Sequence, residues 1–158
     1  MSIDTALRAH LQRLLAWQDA HAGFDSAVKE FPVADRATTP KGAPYSAWQL
    51  IEHLRIAQHD ILDFCVNPDY QEMEWPRDYW PASPEPPSGG AWDDSIRQFL
   101  EDRQKLQELA ADTGVDLAAR IPHGTGQTYL RELLVVADHT SYHVGQLVLL
   151  RRLLGDWA

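Results

Sequence analysis

The chain has 158 residues, a length that supports one domain with a sizeable core, and we expect residues 1–158 to form a single domain. Its 23 acidic residues outnumber its 14 lysines and arginines, and the formal net charge of −9 argues against nucleic acid or an anionic membrane surface as a partner. The sequence shows no membrane-spanning apolar run and no secretory signal, and its one cysteine, Cys65, excludes an internal disulfide, so we expect a cytoplasmic protein.

Apolar residues at helical spacing over residues 3–31 predict a first helix, with Ser2 or Asp4 as its N-cap. His10 and His21 lie near its inner stripe and could face the interior. A histidine in that position is more often a hydrogen-bonded core residue than a metal ligand.

A second helix is marked at its start by a capping box, Ser46 with Gln49, and should run to about Val66. His53 lies one turn into this helix, at the border of its apolar stripe. His59 follows six residues later, roughly 120° away around a helix, so the two histidines cannot serve one site. Cys65 lies on the apolar side, which predicts a buried and unreactive thiol.

Residues 67–90 form a long irregular connection that carries four aromatic residues, including Trp75 and Trp80, among several prolines. Disordered segments are poor in aromatic residues, so we expect this connection to pack against the helices. It could simply cover the open end of a bundle, or it could be a lid or wall over a pocket. Trp80 is a candidate for that wall.

Two further helices are predicted over about residues 91–113 and 128–154. The last one carries apolar residues nearly all round, and a helix that is apolar on every side is buried on every side. One of its faces would meet the other helices, and a second copy of the chain is the simplest cover for the opposite face. We therefore expect a homodimer.

The last helix also contains His139 and His143, whose imidazoles leave the same helix face one turn apart. Two nitrogen donors in this arrangement can share one metal ion, and His53 is the best candidate for a third ligand. The spacing leaves two interpretations open, a shared metal ion or buried histidines satisfied by hydrogen bonds. The pair is not a zinc-protease motif, because no glutamate follows His139 to act as general base.

These residues resemble a known family. The element His139-x-x-x-His143-x-Gly145-Gln146-Leu147, followed by residues 151–155, resembles the C-terminal signature of the DinB/YfiT-like superfamily. The segment Trp48-Gln49-Leu50-Ile51-Glu52-His53-Leu54 is similar to the tryptophan-led second helix of that family. Residues 75–81 and 126–132 resemble one subgroup of it. The resemblance extends in order along essentially the whole chain.

The resemblance implies an all-α, four-helix bundle with a long crossover loop between its second and third helices, usually as a dimer. It also implies a divalent metal ion held by His53, His139 and His143. Relatives in the wider superfamily include thiol-dependent transferases and isomerases that use bacillithiol or mycothiol.

Three neutral imidazoles leave coordination positions open, as catalytic metal sites do, and a water or thiol bound there would be deprotonated near neutral pH. We therefore expect a metal-dependent enzyme, a hydrolase or a thiol-dependent transferase, acting on a small-molecule substrate or thiol. Zinc is the default ion, and nickel, iron and manganese also accept imidazole. The alternative is a non-catalytic dimeric metal- or ligand-binding protein. Glu52, Asp138 and Tyr142 adjoin the histidines, and one of these side chains could orient a ligand from the other helix.

Overall fold

The computed structural model describes residues 2–157, which form five α-helices, one short 3₁₀ turn and no β-strand. The elements are α1 (Ile3–Leu14), α2 (Phe24–Val28), the 3₁₀ turn (Val33–Asp35), α3 (Ala47–Val66), α4 (Ala91–Ala111) and α5 (Tyr129–Leu154). The prediction of an all-α fold is confirmed. None of these helices has the apolar length that crossing a lipid bilayer requires.

The N-terminal segment differs from the single helix predicted within residues 3–31. The Ser2 side chain caps α1 as expected, but α1 ends at Leu14 and α2 begins only at Phe24. The break redirects the chain, so that the Phe24 ring enters the core and stacks on Phe99 with 3.9 Å between ring centroids. Phe24, Val28 and Phe31 again follow helical spacing beyond the break, and for that reason local spacing does not reveal it.

The other predicted helices are confirmed to within a few residues as α3, α4 and α5. The capping box at the start of α3 is complete, since Ser46 accepts from the backbone N–H of Gln49 and the Gln49 side chain accepts in return. Thr128 caps α5, and Gly155 ends it in a left-handed conformation, with φ of 81°. A residue with a Cβ is disfavoured in that conformation, which explains glycine there.

Side-chain contacts fix the relative directions of the three long helices. Arg55, Gln58 and His59 of α3 meet Gln98, Phe99 and Asp102 of α4 in that order, so α3 and α4 run parallel. Along the other side of α3, residues 50, 53 and 64 lie near residues 150, 139 and 131 of α5, so that pair runs antiparallel. Two parallel helices adjacent in sequence need a connection that returns along their full length, which residues 67–90 provide.

The core consists of two apolar clusters stacked along these helices. The first contains Trp48, Leu54, Phe99, Val144 and Leu147, and the second is built around Leu11, Leu62, Leu106, Leu133 and Val136. His139 and His143 lie between Val136 of the second cluster and Val144 of the first. The histidine pair therefore lies at the level where one cluster gives way to the other.

Arg8 joins α1 to the C-terminal end of α4. Its buried guanidinium donates to the backbone carbonyls of Ala110, Asp112 and Val115 at 3.3, 2.8 and 2.7 Å, and it also pairs with Asp4. The last carbonyls of a helix have no partner within the helix, so Arg8 supplies the missing donors and a favourable positive charge.

Arg8→Ala should lower the free energy of unfolding by about 2–3 kcal/mol, because it leaves carbonyls at the end of α4 without donors in a buried position. Urea denaturation followed by circular dichroism measures this change. Arg13→Ala is the matched control on the same helix, since Arg13 pairs with Asp19 in an exposed position; an exposed pair contributes about 0.5 kcal/mol or less. Equal losses in both variants would contradict this role for Arg8.

Candidate metal centre

The three histidines predicted from sequence converge in the structure. The Nε2 atom of His53 lies 3.0 Å from that of His139 and 3.2 Å from that of His143. One ligand atom from each residue lies within 4.8 Å of the others, so the three imidazoles could hold a metal ion. His53 and His143 are buried, whereas His139 is half-buried and gives the group a side open to solvent.

Hydrogen bonds on the far side of two rings determine where their protons are. His53 Nδ1 lies 2.8 Å from the backbone carbonyl of Tyr79, and a carbonyl can only accept, so Nδ1 carries the proton. His143 Nδ1 lies 2.7 Å from the amide oxygen of Gln146 and donates to it in the same way. A neutral imidazole has one N–H, so both Nε2 atoms face each other with lone pairs.

This arrangement fits a metal ion better than it fits a set of mutually satisfied histidines. His139 Nε2–H can donate to only one of the two facing lone pairs, which leaves the other without a partner. Zinc binds imidazole nitrogen at ~2.0–2.1 Å, which places two nitrogens of a tetrahedral site about 3.3 Å apart. The observed separations of 3.0 and 3.2 Å are close to that spacing.

Burial keeps the histidines neutral. Desolvation is the main cause that lowers the pKa of His53 to about 4, with a further contribution from His143 and an opposing one from the Tyr79 carbonyl. Desolvation also lowers the pKa of His139 to about 4, and that of His143 below its ordinary value. Neutral imidazole is the form that binds metal ions, so the group is ready to bind at neutral pH.

The family model for the DinB superfamily matches residues 16–147, most of the chain. The chain belongs to the DinB superfamily. The match spans all three histidines and confirms the resemblance seen in the sequence. No curated protein and no solved structure matches the chain with statistical significance.

Aromatic rings of this DinB-superfamily chain cover one side of the histidine group. The Trp80 indole stacks on His53 with 3.7 Å between ring centroids and an interplanar angle of 7°. Tyr45 stacks on the opposite face of Trp80, with 3.9 Å between centroids. The Trp80 ring therefore fixes the plane of His53 and covers that side of the histidine group.

The connection of residues 67–90 packs closely along α3, as its aromatic content predicted. From the start of α3 onward, Ser46 and Gln49 donate to the carbonyls of Pro84 and Pro81. Two turns beyond His53, Asp60 accepts from the hydroxyls of Tyr70 and Tyr79 at 2.8 and 2.7 Å. His53 is thus one of several points at which α3 holds this connection.

The remaining histidines lie apart from the centre. His10 and His21 are exposed, so the expectation that they could face the interior is wrong: His10 lies on the exposed face of α1, and His21 lies in the break after it. His59 pairs with Asp102 of α4, in agreement with its separation from His53. His123 lies at the surface and donates from Nε2 to the carbonyl of Phe64.

The groups that orient the histidines differ from those suggested by sequence. Glu52 pairs with Arg55 on its own helix, and Asp138 is exposed, so neither carboxylate supports a ligand. A backbone carbonyl, that of Tyr79, and the Gln146 amide do so instead. Gln146 lies three residues after His143, on the same helix face, and that spacing was a usable signal. No sequence pattern identifies the Tyr79 carbonyl.

Cys65 is buried, as predicted, and desolvation raises the pKa of its thiol to about 12. The thiol is therefore protonated at neutral pH, and a protonated thiol is a poor nucleophile.

Removing the hydroxyls of Tyr70 and Tyr79 together should loosen the 67–90 connection without altering its rings. Burial and the Asp60 carboxylate raise the pKa of both phenols, so both remain donors to Asp60. In the Tyr70→Phe/Tyr79→Phe variant we expect trypsin to cleave at the exposed Arg77 about tenfold faster. Loss of the two hydrogen bonds should lower the free energy of local opening by about 1.4 kcal/mol, and this raises the population of the open form about tenfold. Tyr142→Phe, at an exposed hydroxyl, is the matched control, and unchanged cleavage in the double variant would show that Asp60 does not hold the connection.

Proposed function

We propose that this protein is a metal-dependent enzyme in which His53, His139 and His143 hold one divalent ion, and that it acts as a hydrolase or a thiol-dependent transferase. The observation that carries the proposal is the pair of unprotonated Nε2 atoms that face each other across a buried space. A divalent cation satisfies both lone pairs together with the third imidazole. Zinc is the first choice for three imidazoles, with nickel, iron and manganese as alternatives.

When bound, such an ion supplies Lewis-acid chemistry to a water or thiol at its open coordination positions. The residues of this chain prepare the centre for that role. Tyr79 and Gln146 hold the tautomers of His53 and His143, Trp80 excludes water from one side, and the half-buried His139 leaves the other side accessible.

We further propose that the helices form the four-helix bundle of the superfamily, with residues 67–90 as its crossover. The parallel directions of α3 and α4 support this arrangement. The bundle comprises α1, α3, α4 and α5, and it places the histidines of α3 and α5 on facing surfaces.

The metal assignment predicts that His53→Ala, His139→Ala and His143→Ala each abolish stoichiometric metal binding, because each removes one of three ligands. Elemental analysis of protein purified without chelator and then supplied with zinc measures this. His59→Ala is the matched control and should retain about one ion per chain, since His59 lies on the same helix but pairs with α4. Stoichiometric metal in His139→Ala would overturn the assignment.

Comparison of the zinc-loaded and metal-free proteins separates an enzyme from a non-catalytic binding module. The enzyme proposal expects zinc-dependent ester hydrolysis or thiol transfer that is lost in His139→Ala. A stability change with no reaction in broad hydrolase and thiol-transfer screens would favour the non-catalytic metal-binding protein.

We also propose that the chain forms a homodimer through the outer face of α5. Leu134, Tyr142, Leu149 and Leu153 recur on this face with exposures of 46–64%, and Gly145 lies among them. A Cβ added at Gly145 would meet nothing within 4 Å. A glycine inside a helix destabilises it by about 0.5–1 kcal/mol relative to alanine, and no contact among residues 2–157 requires one here. Close approach of a second α5 helix would require it.

Sedimentation should therefore find twice the chain mass of 17.9 kDa for the unaltered protein and the single-chain mass for Leu149→Arg. A charge at Leu149 would lie in a desolvated interface, whereas Ile3→Arg, the matched control, changes an exposed residue of α1. A single-chain mass for the unaltered protein would exclude this dimer.

A further inference from the structure

A cavity of about 270 Å³ lies between α5, the end of α1 and the break that follows α1. Two of the residues that line it, His21 and Ser141, are joined by a hydrogen bond, with 3.2 Å between His21 Nε2 and Ser141 Oγ. Ser141 lies two residues from each of His139 and His143, which is roughly 160–200° around the helix. The pair therefore lies on the opposite side of α5 from the candidate metal centre.

The hydrogen bonds of His21 determine where its proton is. Its Nδ1 lies 3.0 Å from the backbone carbonyl of Ala22, and a carbonyl can only accept, so Nδ1 carries the proton. In the neutral imidazole Nε2 then has a lone pair, and the Ser141 hydroxyl donates to it. A serine inside a helix commonly bonds back to a carbonyl of its own helix, whereas Ser141 reaches a residue 120 positions away in the chain.

These contacts have the form of an activated nucleophile. A hydroxyl reacts readily only when an adjacent base takes its proton, and a third group must hold that base in orientation. Here His21 is the base, and the Ala22 carbonyl takes the place of the carboxylate in a Ser-His-Asp arrangement. The distance of 3.2 Å is at the upper end of the ~2.6–3.2 Å that joins such pairs. Both side chains are exposed, so a substrate can reach them.

The cavity beside the pair indicates what kind of substrate it would take. Most of its wall is apolar, including Trp17, Phe24 and Val144. Its volume is just below the ~300–1,000 Å³ of ligand pockets, which suits a short apolar acyl group. Arg103 also lines it, with its guanidinium held by Asp25. A positive charge on the wall favours the negative charge that develops on the carbonyl oxygen during acyl transfer.

We propose that Ser141 and His21 form a second catalytic site, which hydrolyses small apolar esters. Ser141 Oγ attacks the carbonyl carbon of the ester and its proton passes to His21 Nε2. The bond to the alcohol oxygen then breaks, and the alcohol leaves with that proton. A water molecule attacks the acyl group on Ser141, and its proton returns through His21 to Ser141 Oγ as the carboxylic acid leaves. Neither step uses the ion of the proposed metal centre.

The first test treats the protein with chelator and then with an alkyl fluorophosphonate. Such a probe forms a stable bond to an activated serine, with loss of fluoride. Mass spectrometry of the intact protein and of its peptides should find about one label per chain, on Ser141. Ser141→Ala should remove the label, and alanine is favoured in a helix, so this variant keeps the fold. Ser88→Ala, at another exposed serine, is the matched control. Absence of label on Ser141 in the unaltered protein would overturn the proposal.

The role of His21 is tested by His21→Gln. Glutamine can keep a hydrogen bond to Ser141 but cannot act as a base, so this variant separates catalysis from structure. The rate of labelling should fall about a hundredfold. His10→Gln, at an exposed histidine of α1, is the matched control and should label at the unaltered rate. An unchanged rate in His21→Gln would show that His21 is not the base.

Two further measurements concern the substrate and the independence of the site. In chelator-treated protein, kcat/KM for p-nitrophenyl butanoate should exceed that for p-nitrophenyl acetate about tenfold, because two more CH₂ groups enter the apolar cavity. Equal values would refute the assignment of the cavity to the acyl group. Labelling of Ser141 should also proceed at the same rate with and without zinc. Labelling that requires zinc would assign the reactivity to the proposed metal centre and overturn the second site, whereas failure of the protein to bind zinc would count against the proposed function alone.

Discussion

The hydrogen bond from His53 Nδ1–H to the Tyr79 carbonyl is the contact on which the candidate site depends. It fixes the tautomer of His53, so that Nε2 presents a lone pair toward α5. It also fastens the 67–90 connection at the point where Trp80 lies against the imidazole. The tautomer of His53 and the position of the segment that covers it therefore follow from one interaction between a helix and an irregular segment.

The parallel directions of α3 and α4 explain why such a segment is available. A short turn could only join antiparallel neighbours, so the chain must return along α3 before α4 begins. On this return it forms hydrogen bonds with Asp60, His53, Gln49 and Ser46 in that order. The length of the connection is thus a consequence of topology, and its aromatic residues make the return path part of the candidate site.

The sequence predicted the features that depend on residues close together in the chain, such as helix starts and helix faces. The capping box at Ser46 and the apolar periods of α3, α4 and α5 gave helices close to those observed, and the four-residue spacing gave the shared face of His139 and His143. The break after Leu14 gave no local signal, because apolar residues at helical spacing occur again beyond it. Long-range backbone contacts had no signal, since the identity of a residue does not determine where its carbonyl points. The expectation that Glu52 or Asp138 orients a ligand was wrong for a related reason. Glu52 pairs with Arg55 on its own helix, and Asp138 is exposed.

The position of the histidines between two apolar clusters bears on whether they serve catalysis or structure. Helices α3 and α5 both contribute to the two apolar clusters on either side of the centre, Leu54 and Leu147 to one and Leu62 and Leu133 to the other. Their separation is therefore set by apolar contacts, and an ion would enter a preformed group of ligands. A structural metal site usually supplies the folding energy that its surroundings lack. A group of three imidazoles already positioned by apolar contacts on both sides is the arrangement that the proposed catalytic role would need.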